Sequence, residues 1–176
     1  MKKTLHKLAL LFLLIVGAVN TITATNEKYA VIINGVKNSS DNYLRYWNDC
    51  SAVYQTLRHF GYESDKIYVA MSDGQSYGND IQDLNGQNSS SDHNLDGEGY
   101  DEIQHVANRE EIEYIFEMLT STMTDEDDLF IFMTGHGGSY GVEQSYISLW
   151  GGTDSLTDVE FLQLLEPVPA RTINIV

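Results

Sequence analysis

The chain has 176 residues, room for one ordinary domain, and 42% of them are hydrophobic against 20% charged. That balance supports a buried core and excludes a disordered tail. Ten Lys and Arg face 26 Asp and Glu, a formal net charge of −16, which leaves no basic face to track phosphates and excludes nucleic acid as a partner. The single cysteine, Cys50, allows no disulfide within this chain and no thiolate metal cluster.

The first residues form a class of their own. Lys2, Lys3 and Lys7 precede the apolar run Leu8 to Val19, and small residues such as Ala24 close it. The run is too short to span a membrane comfortably and reads as a secretory signal peptide over residues 1–24, with an uncleaved anchor as the alternative. The mature domain is then 25–176. It is expected to be secreted or extracytoplasmic, with no stable membrane insertion once the signal is removed.

Lys28 to Val36 is β-branched and apolar, a buried strand. Trp47, Cys50, Val53, Tyr54, Leu57 and Phe60 follow with helical spacing, and Gly61 is placed to stop that helix. Lys66 to Met71 reads as a second strand, and Gly74 to Gly99 as a long surface loop rich in Gly, Asn, Ser and Asp. A helix begins near Asn108, with Glu111 completing a capping box and Ile112, Ile115, Phe116, Leu119 and Met123 on one face. Leu129 to Thr134 is a strand, Tyr146 to Trp150 a short one, and Thr157 with Glu160 opens a last helix. Arg171 to Val176 reads as a final strand. Strands alternating with helices imply an α/β fold, a parallel sheet covered on both faces, with its chemistry at the carboxyl ends of the strands.

Thr134-Gly135-His136-Gly137-Gly138 follows the buried strand directly. A histidine at that rim can move protons, and glycine lets a backbone N–H come close to a substrate oxygen; a polar turn that caps the strand is the bland alternative. Gly137 to Gly141 formally matches G-x-S-x-G, but that elbow needs a helix after the serine and a later histidine, and His136 is the last one here. His6, His59, His93 and His105 have no zinc-ligand spacing. Asp92, Asn94 and Asp96 with Gly97 match the opening of an oxygen-rich calcium loop, to which Glu98 and Asp101 could add; Ile103 stands where a bidentate Glu is wanted. A structural calcium within 92–102 and an Asx-turn loop solvated by water are both open. Cys50 lies on the apolar face of its helix and reads as packing.

Three blocks, YAVIINGV, RYWNDCSAVYQTLRHFGY with DKIYVAMSDG, and DLFIFMTGHGG, resemble the legumain family of cysteine endopeptidases, from about Tyr29 to Val176. The resemblance implies a caspase-like three-layer sandwich, a protein or peptide substrate and no cofactor for catalysis. It also implies that His136 belongs to a Cys–His dyad, that Gly137 supplies an oxyanion N–H, and that Arg45 helps shape the pocket for the residue before the scissile bond. In that family the nucleophilic cysteine follows the strand that RTINIV resembles, so the chain is expected to be truncated just before it and inactive alone. The competing expectation is a non-catalytic calcium-binding or adhesion module on a protease-like fold.

Overall fold

The computed structural model describes residues 26–176; the export signal read at 1–24 lies outside the described residues. Among the described residues no helix is long and apolar enough to cross a membrane. Four parallel strands form the central sheet: β1 (Lys28–Gly35), β2 (Ile67–Met71), β5 (Asp128–Gly135) and β9 (Thr172–Ile175), in the order β2-β1-β5-β9. The inner pair reads as continuous apolar runs because both faces are covered.

Side chains alternate across β1 and sort the core into two halves. Ala30 and Ile32 point toward helix α1 (Leu44–His59), where they meet Cys50, Tyr54 and Leu57. Tyr29, Val31 and Ile33 point the other way, toward Ile112, Ile115, Phe116 and Leu119 of α2 (Arg109–Thr122), with Phe161 and Leu164 of α3 (Asp158–Leu165) packed against that cluster. Each fully buried Ile or Leu stabilises by roughly 1.5–3 kcal/mol. The result is the expected three-layer α/β sandwich.

Several local expectations change in the fold. Phe60 is 65% exposed, and the stripe of α1 instead runs through buried Tyr46, Cys50, Tyr54 and Leu57. Asn108 caps α2 by accepting from the Glu111 N–H at 2.9 Å, but the Glu111 carboxylate turns to His105 Nδ1 at 2.8 Å, so only half the capping box forms. The box opening α3 is complete, between Thr157 and Glu160. The 74–99 segment is more than a surface loop. It carries a hairpin, β3 (Ile81–Gln82) with β4 (Asn88–Ser89), and buries Asp80, His93 and Leu95. A second, antiparallel sheet of β6 (Gly137–Tyr140), β7 (Gln144–Ser148) and β8 (Ser155–Thr157) leaves the end of β5; only β7 was anticipated. Ser139 lies in β6 opposite Ser145 with no helix behind it, which removes the G-x-S-x-G elbow.

The outer strand β9 is clamped at its start. Arg171 donates to Asp128 at 3.1 and 2.6 Å, and Thr172 Oγ1 adds a bond to Asp128 Oδ1 at 2.6 Å. Those donors hold the Asp128 carboxyl well below the usual carboxylate range, at about 2. A lowered folded-state value stabilises above the unfolded value and is lost as pH falls through the folded one. The melting-temperature advantage of the wild type over Asp128→Asn should therefore be full at neutral pH and vanish from about pH 4 down to about pH 2. A pH-independent difference across that range would refute the clamp.

Candidate active site

The site is built at the carboxyl ends of β1 and β5, where the strands stand in register through Gly35 and Gly135. Gly135 has φ +132, and a Cβ there would overlap the Gly35 carbonyl; a Cβ on Gly35 would overlap the Ile147 side chain. Both positions require glycine. The close approach lets the His136 N–H donate to the Gly35 carbonyl at 2.7 Å, which anchors the histidine backbone immediately beyond the sheet.

The imidazole then falls on the α1 side. Tyr43 and Tyr46, at the start of that helix, each place a ring centroid 5.7 Å from it, Tyr46 edge-on. Its Nε2 is buried and has no hydrogen-bond partner. A buried imidazole nitrogen held by two aromatic rings but left unpaired costs free energy unless a further group completes it, and such unpaired atoms cluster where chemistry is done.

Gly137 is positioned by the second sheet. The Ser148 N–H donates to the His136 carbonyl at 2.8 Å, and Gly137 faces Ile147 in the β6–β7 register. That alternation makes Gly137 and Ile147 a non-hydrogen-bonded pair, so the Gly137 N–H points out of the ladder. A Cβ at 137 would overlap the Tyr146 carbonyl, so this residue too must be glycine.

Arg45 joins the same group. Its guanidinium stacks over both Tyr43 and Tyr46, 4.6 Å from each ring centroid, and donates to the Tyr46 hydroxyl at 2.8 Å. No ion pair engages Arg45 among the described residues, and the side chain borders a cavity of about 340 Å³ shared with Tyr43, Gln82 and Leu84. Arg45, distant in sequence, thus converges with the adjacent pair His136 and Gly137. Tyr43 and Tyr46 join them unforeseen, although Tyr46 extends the Cys50–Tyr54–Leu57 spacing by one turn. Cys50 is fully buried, and burial pushes its thiol far up, so it offers no thiolate.

The acidic loop is held by its own hydrogen bonds. Asp92 accepts the Asn94 N–H at 3.0 Å, Asn94 the Gly97 N–H at 2.6 Å, and Asp96 the Glu98 N–H at 2.9 Å. The Asp92 and Asp96 bonds reach two residues on, as in Asx-turns, and the Asn94 bond three, so each side chain folds back on its own backbone. Glu98 and Asp101 stay exposed, and among the described residues no three His, Cys, Asp or Glu side chains are placed to hold a metal ion. Glu102, buried, accepts the Leu95 N–H at 2.6 Å and closes the loop, and burial raises its carboxyl above the usual range. Leu95 fills the α1-side core, and Ser51, Gln55 and Trp47 of α1 bond to loop carbonyls.

The caspase-domain family model matches residues 27–176. The chain belongs to that family, one of cysteine peptidases acting on proteins. A search of the curated proteins found no match.

Two outcomes test this geometry. Gly135→Ala forces a Cβ into the Gly35 backbone at a left-handed φ and should cost about 3 kcal/mol or more in denaturant unfolding. Native protein should resist thiol alkylation at Cys50 and label fully once unfolded, as read by mass spectrometry.

Proposed function

We propose that this chain is the histidine-bearing part of a secreted cysteine endopeptidase of legumain type. The observation that carries the reading is the fixed His136 imidazole, its Nε2 buried and unpaired, beside the outward N–H of Gly137. The resemblance expects the nucleophile at the end of the strand that β9 begins. β9 runs parallel to β5 toward His136, with Ile175 opposite Ile131 and the Met133 N–H bonded to the Val176 carbonyl at 3.0 Å. About three more extended residues would bring that strand level with Gly135.

In this mechanism the thiolate attacks the scissile carbonyl carbon and the oxyanion settles on the Gly137 N–H. His136, protonated, gives its proton to the leaving amine as the C–N bond breaks, leaving a thioester. Water then attacks the thioester, with His136 taking the proton, and the acid product leaves with the thiol restored. Arg45 and the cavity beside it receive the side chain preceding the scissile bond. The chemistry needs no metal or cofactor.

The test is a chain continued through the segment that follows Val176. It should hydrolyse peptides, lose activity on thiol alkylation, and lose about 10²-fold or more in kcat/KM with His136→Ala. Cys50→Ser should leave turnover intact. Inactivation that tracks labelling of Cys50 would overturn the assignment of the nucleophile, and an inert continued chain would favour the non-catalytic calcium-binding or adhesion module.

A further inference from the structure

Ser72, immediately after β2, has φ +46, the one non-glycine at positive φ among the described residues, and it is fully buried. A serine held in the left-handed region is strained and persists only where its surroundings over-determine it. Here they do. Its hydroxyl accepts from Asn42 Nδ2 at 2.5 Å, and its carbonyl accepts the Ala107 N–H at 3.0 Å. The same Asn42 amide also donates to the Asp80 carbonyl at 2.9 Å, and its Oδ1 accepts from Asn34 Nδ2 at 2.8 Å. The Asn42 carbonyl takes the Gln82 N–H at 2.7 Å. Asn34, Asn42 and Ser72 are all fully buried.

Asn42 is thereby fixed from three directions, and the next residue is Tyr43, which caps α1, carries the Arg45 guanidinium and packs on His136. The cap of α1 has no side-chain hydrogen bond of its own. The orientation of that first turn depends on the anchored Asn42.

We infer that Ser72 is a positioning residue for the active site: its hydroxyl, through Asn42, sets where Tyr43 and Tyr46 hold the His136 ring. A residue kept only for the turn would be served better by glycine, which adopts this φ without strain. The strained serine is retained for its oxygen.

The inference rests on His136 being the proton-transfer residue. That reading fails if His136→Ala stays active in the continued chain; this one fails in the spectrum below, so the two failures are distinguishable. The experiment is ¹H–¹³C NMR of the histidine rings in the full 176-residue chain, with His136→Ala assigning the signal. Ser72→Gly relieves the backbone strain but leaves one buried Asn42 N–H unpaired, so its melting temperature should stay near the wild type's, yet its His136 ring signal should shift from the wild-type position. Ser72→Thr keeps the hydroxyl but strains a β-branched residue at positive φ, so it should melt lower while the His136 signal stays in place. A His136 signal in Ser72→Gly that coincides with wild type overturns the inference. So does a Thr variant whose signal moves as far as the glycine variant's.

Discussion

The two glycines at the ends of β1 and β5 let these strands approach until backbone meets backbone, and the site depends on that contact. With Gly35 and Gly135 lacking side chains, the His136 N–H reaches the Gly35 carbonyl at 2.7 Å. That bond fixes where the chain leaves the sheet. The positive φ of Gly135 then turns it, so that the histidine ring faces α1 while the following residues start the second sheet. One close approach therefore sets the imidazole, the Gly137 N–H and the root of β6 together. Any side chain at 35 or 135 would move all three.

Around that point the protein divides its physics by depth. Below it, apolar side chains fill both faces of the sheet and make the strands rigid supports. Above it, at the carboxyl ends of the strands, the buried residues turn polar: Asn34, Asn42, Ser72 and Asp80. In a medium of low dielectric these groups must satisfy one another, and they do so by tying the ends of β1 and β2 to the start of α1 and to the 80–91 hairpin region. Among the described residues the unpaired buried side-chain atoms, Asn34 Oδ1, Asp73 Oδ1 and His136 Nε2, lie at this rim. Packing holds the lower half, and directed hydrogen bonds locate the upper half.

The acidic loop is tied both to itself and to the helix it covers. Asp92, Asn94 and Asp96 alternate along it, and their oxygens close tight turns on neighbouring N–H groups. Leu95 is drawn into the core between them, and the buried Glu102 ties its backbone down. The segment thus covers α1 and supports the helix whose first turn holds the histidine.

The sequence by itself determined the parts governed by local rules. Apolar runs specified β1, β2 and β5, helical spacing specified α1 and α2, and Thr157 with Glu160 marked the start of α3, because periodicity and capping act within a few residues. TGHGG after an apolar strand was enough to locate the histidine and its glycine. Which partner each side chain finds in space was settled by the fold. Tyr43 and Tyr46 became partners of His136, Phe60 was left in solvent, and the Glu111 carboxylate went to His105 instead of its own helix. The edges of the second sheet and the glycine requirement at 35 and 135 belong to the same group. A side chain's final partner depends on which competing group lies nearest in space, and that distance is set by packing and not by spacing along the chain.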